Sequence, residues 1–338
     1  MREQRTLVLV AGSGRSGTSL FTGILQRLGV HVPQPEVPAD ESNPRGFAES
    51  QWVVDFHTRL LKRARVQVAD ARPAAWARTA DAGLDEEVRR ELRAWLAAQL
   101  READTVIVKD PRLSWFLPLW RRCAEDAGAA PRFVTMLRHP AAVVDSKERW
   151  YGGWQREVGR TAGWVNQTLF TERATREAPR AFVRYDDLLD DWTRTVAAVG
   201  DTLDLAVVRD APATSMRGVH EFVDRTLSHA RADWDGLRIP APLREQADEL
   251  WALMAELADG RDAARDRLDA LRAGYVDLYE QAEAITQSSI AASRHPAPVA
   301  PAPMPAPTAR LIRRVPARYR RRVPLRWRRQ IVRALARG

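Results

Sequence analysis

Val8-Leu9-Val10-Ala11-Gly12-Ser13-Gly14-Arg15-Ser16-Gly17-Thr18-Ser19-Leu20 runs from an apolar stretch through three glycines into a helical pattern. Residues 6–11 have the length and β-branched content of a buried strand. After Gly17, Leu20, Ile24, Leu25 and Leu28 fall on one helical face, and Gly29 suits the C-terminal cap. A strand, a glycine-rich turn and a helix together aim backbone N–H groups and the helix dipole at one point, which is a geometry that binds phosphate or sulfate.

The residues between the glycines narrow the choice of anion site. Gly12-x-x-x-x-Gly17 begins like a Walker loop, but Thr18 stands where the phosphate-gripping lysine belongs, and the loop's one cation, Arg15, lies three residues earlier. Gly12-x-Gly14-x-x-Gly17 also fits the dinucleotide fingerprint. The missing lysine disfavours a kinase or GTPase. At this level a dinucleotide enzyme and a ligand-free glycine turn both stay open.

The chain of 338 residues is 45% hydrophobic, enough for a sizeable core, and its length suits one large α/β domain or two smaller ones. Cys123 is the only cysteine, which excludes a disulfide framework or a cysteine metal site. The apolar run after Met1-Arg2-Glu3-Gln4-Arg5 is too short for a signal-peptide core, and no segment reaches the roughly 18 apolar residues of a membrane span, so a cytoplasmic location is expected. The net charge of +9 belongs to the end of the chain: residues 310–338 hold twelve arginines and no acid, leaving the body slightly acidic. Arginine is abundant throughout and lysine occurs only at Lys62, Lys109 and Lys147, so arginine content by itself says little about nucleic acid.

Further apolar runs over 105–108, 132–137 and 181–185 read as three more strands, separated by helical patterns. Helices are expected from Gln51, with Ser50 as N-cap, to about Arg65, over 85–101, from Ser114 to about Ala127, from Pro140, over 155–178, from about Asp191, and unbroken over 240–285. Residues 70–83 read as loop. Short apolar strands alternating with helices argue for an α/β fold with a central parallel sheet flanked by helices on both faces. The expected domain organisation is 1–285 as the α/β body, 286–309 as a Pro/Ala/Ser-rich linker and 310–338 as a basic amphipathic tail.

Ligands of open α/β sheets sit beyond the carboxyl ends of the strands. The polar groups there are residues 12–19, Lys109-Asp110-Pro111-Arg112, Arg138-His139-Pro140 and Tyr185-Asp186-Asp187. Three of these four clusters offer cations, which points to a polyanionic ligand.

The loop Gly12–Ser19 resembles the 5′-phosphosulfate loop of sulfotransferases that use 3′-phosphoadenosine-5′-phosphosulfate (PAPS). Arg138-His-Pro-Ala-Ala-Val-Val-Asp-Ser146 resembles their 3′-phosphate motif, an arginine with a serine eight residues on. Lys109-Asp110-Pro111 and Asn43-Pro-Arg-Gly-Phe-Ala-Glu49 are similar to segments of bacterial members. Phe182-Val-Arg-Tyr-Asp-Asp-Leu-Leu resembles the strand whose tyrosine lies near the adenine, and Phe222-Val-Asp-Arg-Thr-Leu-Ser-His a late donor-site loop. The resemblance covers residues 6–235 and implies a P-loop-like three-layer fold. It departs at Arg15, where cytosolic members carry lysine, and at Pro111, where they carry a catalytic histidine.

The resemblance implies PAPS as donor and no metal. It gives donor binding to Gly14, Arg15, Ser16, Gly17, Thr18, Ser19, Arg138, Ser146 and Tyr185, and the acceptor as a hydroxyl of a carbohydrate, glycolipid or small natural product. Arg15 and Lys109 are the expected catalytic cations. For the general base, Glu49 is the first candidate, ahead of Glu36, Glu41, His57 and Asp110; a helix N-terminal carboxylate is its plain structural alternative. His139 reads as a structural loop histidine. In the tail, Leu325, Ile331, Val332 and Leu335 share one helical face opposite Arg326, Arg329, Arg333 and Arg337, which suits an anionic membrane surface, such as the inner face of the cell membrane; an acidic partner or nucleic acid, or a disordered tail with no specific role, are the alternatives. Competing assignments are a Mg-ATP-dependent phosphoryl transferase and a non-enzymatic membrane-surface adaptor.

Overall fold

The computed structural model describes residues 5–152, 155–224, 233–261 and 265–294, with side chains through 287. The expected tail and most of the linker lie outside these residues, as does 225–229 of the late loop motif. The chain divides into two units, residues 1–280 and 281–338, and of the second only the closing turns of the last helix are described.

Four strands, β1 (Thr6–Ala11), β2 (Thr105–Lys109), β3 (Ala130–Leu137) and β4 (Arg180–Arg184), form one parallel sheet in the order β2-β1-β3-β4. The strands are the four expected from the sequence. In chain order the helices are α1 (Thr18–Arg27), α2 (Gln51–Ala64), α3 (Ala75–Leu84), α4 (Glu86–Glu102), α5 (Leu117–Asp126), α6 (Pro140–Tyr151), α7 (Glu157–Thr175) and α8 (Tyr185–Asp190). They continue with α9 (Trp192–Thr202), α10 (Ala206–Arg209), α11 (Ala213–Phe222), α12 (Ala241–Ala258) and α13 (Arg265–Arg294), and a 3-10 turn over Leu113–Phe116 leads into α5.

The strand pleat sends alternate residues of β1 to opposite faces. Leu7, Leu9 and Ala11 pack with Phe56 and Leu60 of α2, Leu92 and Leu96 of α4, and Trp120 of α5. Val8 and Val10 pack with Phe21, Ile24 and Leu25 of α1 and with Val196 and Val199 of α9. The result is the three-layer α/β arrangement that the strand pattern predicts. A third apolar cluster joins Trp164 and Val165 of α7 to Leu250 and Met254 of α12 and Leu268 and Tyr275 of α13.

Two expectations are corrected. Residues 75–84 are helical, not loop: the sequence Ala-Trp-Ala-Arg-Thr-Ala-Asp-Ala-Gly-Leu buries only Ala75, Thr79 and Ala82, so it lacks the stripe of large apolar residues that signals a helix, although alanine favours one. The expected unbroken helix over 240–285 is two helices, with Gly260 in the left-handed region (φ 72°) just after α12. Ser50 sits at the N-cap of α2 as expected, but its hydroxyl is buried without a partner and caps nothing. α13 runs to Arg294, so the first residues of the expected linker are helical.

The chain leaves β1 on one side to form β2 and crosses to the other for β3, which makes the gap between the ends of β1 and β3 the switch point where ligands bind. Ala11 pairs with Thr135, so the glycine loop after β1 is level with Arg138 after β3. Gly12 (φ 139°) permits this close approach: a Cβ there would lie 2.6 Å from the Met136 carbonyl oxygen.

Candidate active site

A cavity of about 510 Å³ opens at this switch point. Its lining includes Gly14, Arg15, Gly17, Thr18, Ser19, Glu49, Lys109, Arg138, Ser146 and Tyr185, which are the expected site residues except Ser16. Ser16 is fully buried, its amide donates to the Ser13 carbonyl (3.1 Å) and its hydroxyl has no partner, so it shapes the turn and does not face the cavity. Six cations (Arg15, Arg45, Lys109, Arg112, Arg138 and Arg149) line the cavity against two carboxylates, Glu41 and Glu49. Such a balance in a recess favours a polyanion.

The floor is the start of α1. Gly17 is the N-cap (φ 87°), and the helix has neither a capping side chain nor an acid in its first turn. The first turn thus presents its amides at the positive end of the dipole without a capping side chain, an arrangement that suits the anion site expected from the sequence. Tyr185 covers Gly17 so closely that a Cβ there would lie 2.3 Å from its ring.

Arg15, Arg138, Ser146 and Tyr185 form a connected cluster beside this helix start. Arg15 is in the left-handed region (φ 76°), which is uncommon for a residue with a side chain and frequent at functional loops. Its Nε donates to Ser146 Oγ (3.1 Å), its Nη1 to the Ser42 carbonyl (3.1 Å), and its guanidinium lies 5.7 Å from the Trp150 ring centroid. Arg138 Nη1 donates to the Arg15 carbonyl (3.0 Å) and its guanidinium stacks 4.5 Å from the centroid of Tyr185. Arg15 thus reaches across to the serine of the Arg138–Ser146 motif, a contact that sequence spacing does not show.

Lys109 and Glu49 meet at the other end of the loop. Lys109 Nζ donates to Glu49 Oε1 (2.5 Å), Ser19 Oγ (2.8 Å) and the Phe47 carbonyl (3.1 Å). Those three acceptors use all three donors of an ammonium. Both side chains are buried. Burial lifts the Glu49 carboxyl above its ordinary range against the pull of Lys109, with Asp110 adding to the rise. A buried carboxylate raised in this way is a better base than an exposed one.

The rival bases are placed differently. His57 and Asp110 sit behind the cavity, fully buried. Trp120 Nε1 donates to His57 Nε2 (2.8 Å), so the imidazole carries its proton on Nδ1 and donates it to Asp110 Oδ2 (2.9 Å). Asp110 Oδ1 accepts from the amide and Nη1 of Arg112 (both 2.9 Å). Burial works to raise the Asp110 carboxyl, but the bonds from His57 and Arg112 outweigh it and hold it below the ordinary range. These two residues anchor the turn that carries Lys109 and Arg112. Glu36 accepts from Gln26 and Gln34 and lies outside the cavity lining. Glu41 lines the cavity from its exposed rim. His139 packs edge-on against Trp234 and Trp251, with its charged form disfavoured by burial, in keeping with a structural residue.

Several lining residues have no role assigned from the sequence, although Arg45 and Phe222 fall within motif segments. Arg45 donates to the Phe222 carbonyl and to Asp224 Oδ2 (3.0 Å), which ties the 40–49 loop to the end of α11. Phe222, over Gly23, and the exposed pair Trp150 and Tyr151 also line the cavity. The aromatics after Ser146 lie on one helical turn beyond a motif already identified, which was a usable signal. Both partners of the Arg45 contact lie in motif segments, but their pairing with each other is not encoded in either.

Fold and site together describe a parallel α/β sheet with a cleft at its switch point whose charged lining residues are mainly cations. The description of the sulfotransferase family matches residues 8–210, and the chain belongs to that family: it is a sulfotransferase. Solved structures that align with it include the sulfotransferase domain of the Synechococcus PCC 7002 olefin synthase, at 16% identity and a TM-score of 0.44, covering 75% of this chain and 97% of that one. The sulfotransferase domain from the curacin biosynthetic pathway aligns at 15% identity and a TM-score of 0.43, covering 74% and 98%. The sulfotransferase STF1 from Mycobacterium tuberculosis H37Rv aligns at 16% identity and a TM-score of 0.38, covering 73% and 76%. No curated protein matches the chain. Among the described residues, no helix is long and apolar enough to cross a membrane.

Proposed function

We propose that this sulfotransferase uses PAPS and that its acceptor is a hydroxyl on a carbohydrate, glycolipid or small natural product. One observation carries the donor assignment: Arg15, Arg138, Ser146 and Tyr185 converge beside the uncapped start of α1. In this reading the amides of Gly17, Thr18 and Ser19 hold the 5′-phosphosulfate, Arg138 and Ser146 the 3′-phosphate, and Tyr185 the adenine. The bound donor supplies a sulfuryl group whose S–O bond to the 5′-phosphate breaks, with the electron pair leaving on the phosphate, as the acceptor oxygen bonds to sulfur.

The protein's part is proton transfer and charge stabilisation. Glu49 Oε2 takes the hydroxyl proton, for which its raised basicity suits it. Once protonated, Glu49 no longer holds Lys109 as an ion-pair partner. One ammonium N–H is then released to the negative charge growing on the leaving phosphate, where Arg15 and the loop amides also act. Arg15, Glu49 and Lys109 are therefore the proposed catalytic residues. Residues 310–338 are proposed, from sequence alone, to contact anionic membrane; deleting them should reduce co-sedimentation with anionic liposomes.

Calorimetry with 3′,5′-ADP, 5′-ADP and ATP, with and without Mg²⁺, tests the donor assignment. Tighter binding of 3′,5′-ADP than of 5′-ADP, independent of Mg²⁺, is expected. Equal affinity for the two removes the 3′-phosphate site, and Mg²⁺-dependent ATP binding favours a phosphoryl transferase. With labelled PAPS and a panel of hydroxyl acceptors, Glu49→Gln should abolish transfer while 3′,5′-ADP still binds.

A further inference from the structure

Lys147 does not line the cavity, yet it is the residue immediately after Ser146 and is almost completely buried. Its Nζ donates to Ser13 Oγ (2.9 Å), at the start of the glycine loop. No carboxylate pairs with it among the described residues. Among the described residues, the charged group that acts on it is another cation, Arg160 of α7. The acids beside it on α6 are engaged elsewhere, Glu148 with Arg160 and Asp145 with Arg149, and Asp248 of α12, which packs on α6, pairs with His139. A buried ammonium with one hydroxyl partner and no counter-ion is costly to maintain.

We infer that Lys147 is a positioning residue for donor binding: it ties down Ser13 and gives the loop a buried positive charge that the donor's phosphates neutralise. This rests on the donor site proposed above. The counter-ion that Lys147 lacks among the described residues arrives with the ligand, so binding favours its charged form. Burial first, then Arg160, push its pKa down to about 8 in the free protein, and an anion bound by the loop that Ser13 opens acts in the opposite direction. Affinity is therefore full while Lys147 is protonated and falls as the pH rises above about 8, by at most about tenfold per pH unit.

Calorimetry of the full chain with 3′,5′-ADP, in buffers of different ionisation enthalpy at about pH 7 and about pH 9, reads this directly. Expected are little proton exchange at the lower pH, uptake of part of one proton at the higher, and weaker binding there. Lys147→Met should weaken binding by about tenfold at the lower pH and abolish both the uptake and the pH dependence. Lys147→Arg, charged at either pH, should bind without pH dependence and serves if the Met variant does not fold. Wild-type uptake and a wild-type profile retained in Lys147→Met overturn this inference alone. No 3′,5′-ADP binding by the wild type at either pH overturns the donor reading and this inference with it.

Discussion

Lys109 and Lys147 are two of only three lysines in the chain, both are buried, and they hold opposite ends of one glycine loop through Ser19 and Ser13. Lys109 has Glu49 at 2.5 Å, a carbonyl and a hydroxyl, so its charge is matched and its donors are used. Lys147 has one hydroxyl and a second cation nearby. The contrast separates two uses of a buried charge. A matched charge fixes a turn and releases a donor when its partner is protonated. An unmatched charge sits at a cost to the empty protein, and an anionic ligand relieves it.

Removing one member of a matched pair should have the largest effect. Lys109→Met leaves the Glu49 carboxylate buried without its cation and strips Ser19 and the Phe47 carbonyl of their donor. A loss of about 3–5 kcal/mol in urea unfolding near neutral pH is expected. Adding Glu49→Leu should restore most of it, because a buried pair replaced by apolar groups is often neutral. A loss below about 1 kcal/mol would show that the pair is not buried in solution as it is here.

At Lys147 the expected change has the opposite sign. Its folded-state pKa of about 8 lies below the ordinary lysine value of 10.5, so charging it disfavours the folded state. The penalty is complete below about pH 8, where both states are charged. It disappears as the pH rises towards the unfolded value, because the folded protein has then given up the proton that the unfolded chain still holds. Lys147→Met should accordingly be more stable than the wild type at neutral pH, by roughly 1–3 kcal/mol, with the gain fading in unfolding curves above about pH 8. Together with weaker 3′,5′-ADP binding, this would be a residue kept for binding against stability. A variant that is destabilised at neutral pH would remove the distinction between the two lysines.

The difference between the lysines was only half visible in the sequence. Rarity marks both lysines, and both stand beside motif residues, Lys109 at a strand end and Lys147 after Ser146, but the burial of Lys147 is not visible there. What burial does to Lys147 depends on α7 bringing Arg160, and on no acid among the described residues pairing with it, which no local pattern encodes. The same division holds elsewhere. The four strands were legible because each is a run of β-branched and apolar residues, and the order of strand-end motifs gave most of the cavity wall. α3 was not legible, because a helix packed through alanine and threonine has no apolar stripe. Ser16 was assigned by its place in the loop, whereas its amide is used on Ser13. His57 and Asp110 were plausible bases until Trp120 and Arg112 showed both already engaged.

The smallest effects sharpen the comparison most, because they change only the hydroxyls that the lysines hold. Ser19→Ala removes one of three acceptors from Lys109, whose ion pair and carbonyl bond remain, so a loss of no more than about 1 kcal/mol is expected in thermal or urea unfolding. Ser13→Ala removes the one hydroxyl that Lys147 holds and leaves a buried ammonium unsatisfied, which should cost about 1–2 kcal/mol at neutral pH. The two substitutions are chemically identical and lie on the same loop, so their difference reports on the lysines themselves. The Ser13→Ala loss should shrink above about pH 8, where Lys147 sheds its charge and needs its partner less, while the Ser19→Ala loss should hold steady. Equal, pH-independent losses at both positions would mean that Lys147 has a counter-charge in solution, and its proposed role in donor binding would lose its physical basis.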